Sequence, residues 1–229
     1  MENVFLQQLL DLITNRPIYH KVKQFVDKKQ IEQNQYIPAN YGLNALLIQG
    51  ESGTGKSALI ADVLQQSGYQ DLDCKIEASL PLSQQQERLQ QAFHEGQPVW
   101  IDELNVCSSN GLEKTLNSVL TGIDPKTGKQ ASNPGFMVLA TANEADLPGR
   151  HVLSPALQAR CVTCHLSEPK REDIQTILQT HYPDAEVTAI TDSVERLRQD
   201  NPDLNLRDIL TQVDAVLKEQ TANKPGLSH

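Results

Sequence analysis

The sequence predicts an α/β fold, a parallel sheet flanked by helices, followed by a small all-α unit. Two observations carry this prediction. Between residues 44 and 166, short apolar runs of strand length alternate with stretches of helical periodicity. After Pro169 the strand-like runs stop, and only helical patterns remain.

Each element has its own signal. Residues 2–14 and 18–33 carry apolar residues at helical spacing, separated by Arg16-Pro17. A loop with Pro38, Asn40 and Gly42 follows. Residues 44–49 are an apolar run ending at Gly50, which suits a strand buried on both faces. A helix is expected from Lys56 to Gln66, closed by Gly68. A second strand is expected near 73–78, and an amphipathic helix over 83–95 capped by Ser83. Val99, Trp100 and Ile101 form a third strand, and 109–121 a helix. Residues 124–135 are turn-forming, as a hairpin or an exposed loop. Residues 136–141 make a fourth strand, 154–159 a short helix and 161–166 a fifth strand. Helices are then expected at 170–180, 185–199 and 205–220, with turns at Tyr182-Pro183 and Asn201-Pro202. The expected organisation is an N-terminal helical extension (1–43), an α/β core (44–167), a helical unit (168–222) and a flexible tail (223–229).

Bulk properties narrow the function. The chain has 229 residues, enough for one sizeable core and a smaller second unit. Aromatics are 4% of it, so aliphatic side chains must fill the core. A net charge of −9 excludes a general nucleic-acid surface, which needs clustered Lys and Arg. No apolar run reaches the length of a membrane span, and the first residues lack the basic start of a signal peptide. A cytoplasmic location is expected. The four cysteines are Cys74, Cys107, Cys161 and Cys164. Cys161 and Cys164 form C-x-x-C, but no second ligand pair accompanies it, and on a strand the two face opposite sides. They read as free thiols, not as zinc ligands.

Residues 50–57 spell G-E-S-G-T-G-K-S, which fits G-x-x-x-x-G-K-[ST] between a predicted strand and a predicted helix. Glycines let the backbone wrap a phosphate, and the helix N-terminus attracts the anion. The candidate nucleotide-binding residues are Gly50, Glu51, Ser52, Gly53, Thr54, Gly55, Lys56, Ser57 and Ala58. Lys56 is expected to reach the β- and γ-phosphates, and the Ser57 hydroxyl to ligate Mg²⁺. About fifty residues on, V-W-I-D-E (99–103) places Asp102 and Glu103 at the carboxyl end of a strand, where α/β sheets bind ligands. Asp102 suits the Mg²⁺ shell, and Glu103 suits a general base for water.

These segments carry a family resemblance. V-W-I-D-E-L-N (99–105) resembles the Walker B segment of midasin-like and dynein-related AAA+ ATPases, which are P-loop NTPases with a helical lid. F-M-V-L-A-T-A-N (136–143) is similar to that family's fourth strand and sensor-1 asparagine. L-S-P-A-L-Q-A-R (153–160) is similar to its arginine-finger segment, and L-N-L-R-D-I-L (204–210) to its sensor-2 stretch. The resemblance covers residues 44–217 and implies roles for single residues. Asn143 would orient the attacking water or touch the γ-phosphate. Arg160 would act in trans on a neighbouring subunit's nucleotide, and Arg207 in cis from the lid. Arg150, in L-P-G-R, is a second candidate for intersubunit contact. Residues 124–135 resemble a presensor hairpin. Midasin and dynein carry several such modules in one chain, whereas here there is one.

The implied function is binding and hydrolysis of ATP with Mg²⁺, coupled between subunits to remodelling of a protein or complex. The implied partners are copies of the chain or other AAA+ subunits, and a protein substrate. The alternative is an ATP-regulated interaction or scaffold module with little turnover. A small-molecule P-loop kinase would share the phosphate loop, but would not need the Asp-Glu strand end, the Asn-ended fourth strand or an Arg-bearing lid. A guanine-binding N-K-x-D motif is not evident in the sequence, which favours ATP over GTP.

Overall fold

A computed structural model describes residues 16–35, 43–69, 74–77, 79–106, 110–143, 149–168, 170–181, 187–200 and 211. The helices expected at 2–14 and 205–220, apart from Thr211, lie outside the described residues, as do Cys107 and Arg207. The elements run α1 (Pro17–Asn34), β1 (Ala45–Gln49), α2 (Lys56–Gln66), β2 (Lys75–Ile76), α3 (Leu82–Glu95), β3 (Pro98–Ile101), α4 (Asn110–Val119), β4 (Met137–Ala142), α5 (Pro155–Gln158), β5 (Cys161–His165), α6 (Arg171–His181) and α7 (Val187–Asp200).

The sheet has the order β2-β3-β4-β1-β5, and every neighbouring pair is parallel. Parallel strands need crossovers, which here are helices that cover both faces. That is why the three central strands β3, β4 and β1 read as apolar runs, whereas the edge strands β2 and β5 carry Lys75, Thr163 and His165. Successive residues still alternate between faces. Leu46, Ile48, Trp100, Met137, Leu139 and Cys164 pack on one side with α1, α2, Ile174 of α6 and Val194 of α7. Ala45, Leu47, Val99, Ile101, Val138 and Ala140 pack on the other with α3, α4 and Leu157 of α5. Cys161 packs on this second side and Cys164 is buried in the first, so the two thiols are free and separated by the sheet. Among the described residues no group of three His, Cys, Asp or Glu side chains is placed to hold a metal ion.

Several local details differ from the sequence pattern. α3 starts at Leu82 with Pro81 as its N-cap, and no side chain caps it. Ser83 therefore lies inside the first turn instead of capping the helix, because Pro81 supplies the extended residue that precedes it. β2 is only two residues long, shorter than the expected 73–78. Residues 124–135 form a loop without strand pairing, closed by Asp124, which accepts from Lys126 N (2.9 Å), Thr127 Oγ1 (2.6 Å) and His94 Nε2 (3.0 Å).

α1 lies along the first face and contributes Ile18, Tyr19, Val22 and Val26 to that core. Lys29 on α1 is 2% exposed and donates to Glu32 Oε2 and Asn44 Oδ1, each at 2.7 Å. Arg16, just before α1, donates to Ser167 O (2.7 Å) and Asp173 Oδ2 (3.2 Å). The helix is thus fastened at one end to the β5–α6 junction and at the other beside β1. Arg171 on α6 pairs with Asp192 and Glu195 of α7, joining these two helices. Among the described residues no helix is long and apolar enough to cross a membrane.

Candidate functional site

Strand register brings the site together. Gln49 pairs with Ala142 and Ile101 with Ala140, so Gly50, Asp102 and Asn143 emerge on adjacent strands at one edge of the sheet. The loop after β1 turns through Gly53 (φ 79°) and Gly55 (φ 95°), left-handed positions that favour glycine, and runs into the N-terminus of α2. Gly50 is needed for a different reason. A Cβ there would lie 2.2 Å from Leu166 O, the carbonyl just beyond β5.

Lys56 is 6% exposed and folds back over the loop, donating to Gly50 O (2.9 Å) and Glu51 O (2.5 Å). Thr54 Oγ1 also donates to Glu51 O (2.9 Å). The loop is therefore braced by its own side chains, with its glycine backbone turned outward. A cleft of about 250 Å³ opens above it, lined by Ser52, Gly53, Gly55, Lys56, Ser57 and Ala58. Its other wall is Asp102, Glu103, Thr141 and Asn143. Gly50, Glu51 and Thr54 build the loop behind this lining.

The carboxylates face different partners. The Ser57 hydroxyl donates to Asp102 Oδ1 (2.7 Å), and Thr141 Oγ1 donates to the same oxygen (2.7 Å). Lys75 Nζ on β2 lies 3.8 Å from Asp102 Oδ2 and 4.8 Å from the Trp100 ring centroid. Glu103 sits at φ 52°, the left-handed region that side-chain-bearing residues avoid. Glu103 N donates to Thr141 Oγ1 (2.8 Å), and the turn directs its carboxylate to Asn143 Nδ2 (3.0 Å). Asn143 is 4% exposed and is itself held by Asn105, which donates to Asn143 O (2.8 Å) and accepts from Asn143 N (3.3 Å). Strained backbone beside a cleft of convergent polar groups marks a candidate functional site. Ser57 Oγ and Asp102 Oδ1 are adjacent hard oxygen donors, a set that would suit a magnesium ion.

A family model described as the ATPase family associated with various cellular activities (AAA) matches residues 46–164, more than half of the chain. The chain belongs to the AAA ATPase family. The matched span contains the phosphate loop, the Asp102-Glu103 pair and Asn143. Among solved structures, the AAA module is similar to C. elegans PCH-2, with a TM-score of 0.54 and 14% identity over 91% of this chain and 71% of that one. At that identity the likeness is one of fold.

Two arginines of this AAA ATPase module occupy different places. Arg160 follows α5 and donates to Asn117 Oδ1 of α4 (3.0 Å) and to Ala156 O; neither it nor Arg150 is among the residues lining the cleft. Arg150, a second candidate on sequence for contact between subunits, lies within its own chain beside Glu103, with Nη2 3.3 Å from Oε1 and 3.4 Å from Oε2. Sequence reasoning missed Thr141 and Asn105. Thr141 had a legible signal: a hydroxyl in a strand buried on both faces must find partners. Asn105 had none, because an Asn in a turn is as well suited to solvent, and only the fold brings Asn143 beside it.

Proposed function

We propose that this AAA module binds ATP with magnesium in the cleft, hydrolyses it, and uses the cycle to remodel a protein partner. The observation that carries this reading is the split of two consecutive carboxylates. The positive φ at Glu103 sends Asp102 to the Ser57 hydroxyl and Glu103 to the Asn143 amide, so that one suits a cation and the other a water.

The backbone N–H groups of residues 53–57 and the start of α2 receive the phosphates. Lys56 exchanges a loop carbonyl for phosphate oxygens. Ser57 and Asp102 would hold the magnesium ion, which when bound neutralises charge on the phosphate oxygens. Glu103 accepts a proton from the water as its oxygen bonds to the γ-phosphorus, and the bond to the bridging oxygen breaks with the electron pair leaving on ADP. Asn143 holds that water in line. Arg160, held outside its own cleft by Asn117, would serve the cleft of a neighbouring subunit, either a second copy or another AAA+ chain. The V-W-I-D-E-L-N, F-M-V-L-A-T-A-N and L-S-P-A-L-Q-A-R segments support kinship with the midasin and dynein-related branch. A lid in residues 168–222, with Arg207 acting in cis, belongs to the same reading.

The test is ATP hydrolysis per mole of chain over a wide range of protein concentration. Specific activity is expected to climb with concentration and to vanish in Glu103→Gln with nucleotide binding intact. Bound ATP with no turnover at any concentration would overturn the hydrolytic reading in favour of an ATP-regulated scaffold.

A further inference from the structure

The Arg150–Glu103 pair is long at 3.3 and 3.4 Å, and the Glu103 side chain is 44% exposed. Such a pair is weak and readily exchanged. The guanidinium, by contrast, is 19% exposed, and its Nε–H is buried without an acceptor. A buried N–H without an acceptor is unfavourable, so the carboxylate does not satisfy this group. The surrounding backbone separates what is fixed from what is free. His151 N donates to Asn105 O (3.1 Å), and Asn105 also pins Asn143, so the chain after Arg150 is anchored to the site. Gly149 before it takes φ 74° with open space where a Cβ would stand. On the other side of the pair, Glu103 is fixed by its own turn and by Asn143. Among the described residues Glu103 keeps a second partner in Asn143, whereas the Arg150 side chain has only this long pair.

Resting on the ATPase reading above, we propose that Arg150 is the residue by which this site tells a triphosphate from a diphosphate. Glu103 holds the guanidinium until a γ-phosphoryl group competes for it. That group has oxygens matched to a planar fork of donors and binds it better than a single carboxylate at long distance. The exchange also releases Glu103 to face water. A diphosphate carries no such competitor, so the pair stays closed. Arg150 is thus a positioning residue for Glu103 and a ligand for the terminal phosphate in cis.

The test is equilibrium binding of a non-hydrolysable ATP analogue and of ADP, each with magnesium, to the unmodified chain, Arg150→Ala, Glu103→Gln and the double variant. Arg150→Ala is expected to weaken the triphosphate about tenfold, the scale of one charge-assisted contact, and to leave ADP unchanged. Glu103→Gln is expected to tighten the triphosphate only while Arg150 is present, so the two effects are coupled for the triphosphate and additive for ADP. Arg150→Lys keeps the charge without the fork and recovers part of the loss, which carries the test should the alanine variant unfold. Equal loss for both nucleotides, or additive effects for the triphosphate, would overturn the assignment and make Arg150 a brace of the loop. If the unmodified chain binds neither nucleotide, the ATPase reading falls and this one with it. If both bind without coupling, only the role of Arg150 falls.

Discussion

The Ser57 hydroxyl and the Asp102 carboxylate meet at 2.7 Å, joining the first turn of α2 to the end of β3. Asp102 Oδ1 accepts from Thr141 as well, so this oxygen organises three elements. Asp102→Asn keeps an acceptor at that place and removes the charge. The fold is expected to survive, with a thermal midpoint shifted by a few degrees. The magnesium-dependent part of ATP affinity is expected to fall at least about tenfold, because a divalent ion loses its anionic oxygen. Nucleotide titrations with magnesium and with a chelator check this. Equal affinity in both conditions for the unmodified chain would remove Asp102 from any metal role.

Gly50 and Gly68 provide an internal comparison. A Cβ on Gly50 meets Leu166 O at 2.2 Å, whereas at Gly68 (φ 82°) nothing lies within 4 Å. Gly50→Ala is expected to cost about 2–4 kcal/mol, because backbone must move against backbone. Gly68→Ala is expected to cost about 1 kcal/mol, the conformational penalty alone. Denaturant unfolding of both variants measures the difference.

Lys29 is buried with Glu32 and Asn44 as its acceptors. Removing one charge of a buried pair costs more than removing both. Lys29→Met is expected to destabilise by about 3 kcal/mol, and Lys29→Met with Glu32→Leu to recover more than half of that. If the double variant is as unstable as the single one, the pair does more than satisfy itself.

Stability should fall at both ends of the pH scale for identifiable reasons. Burial raises the Asp124 pKa, but hydrogen bonds from Thr127, His94 and Lys126 N outweigh it and leave the pKa below its ordinary value of 3.8. A carboxyl depressed in the folded state stabilises fully above that value, and the contribution is lost as pH falls below it. Tyr19 is pushed up to about 12 by burial and by its hydrogen bond to Asp62. It stabilises fully below its ordinary value of 10.0, and the contribution is lost as pH rises from there toward 12. Asp124→Asn should flatten the acid limb and Tyr19→Phe the alkaline limb in unfolding measured against pH. Unchanged limbs in both would assign the losses to other groups.

How much of this was legible depended on distance along the chain. The glycine spacing of 50–57 announced the loop, because each glycine answers a local backbone demand. The opposite faces of Cys161 and Cys164 followed from strand periodicity alone, and burial pushes the Cys161 thiol up to about 11, as befits a structural thiol. The Arg150–Glu103 contact was not legible, because a charge in a loop carries no record of the direction it faces. Lys29 misleads in the same way. A lysine on a helix reads as solvated, and only the tertiary structure shows Asn44 waiting beneath it. Ser83 has the right chemistry for a cap, but Pro81 sets the start of α3 two residues too early for it.

Arg16 has a mechanical consequence. It fastens the start of α1 to Ser167 and Asp173, where β5 gives way to α6, while Gln30 fastens the other end of that helix to Ser67 O. α1 is therefore a splint between the β5–α6 junction and the end of α2. A tension applied to the chain ahead of Pro17 would be delivered to the joint between β5 and α6 and, through the Tyr19–Asp62 and Gln30–Ser67 hydrogen bonds, to α2, the helix that begins at the phosphate loop. The β5–α6 joint also lies beside the loop itself, since Leu166 O is the atom that a Cβ on Gly50 would meet.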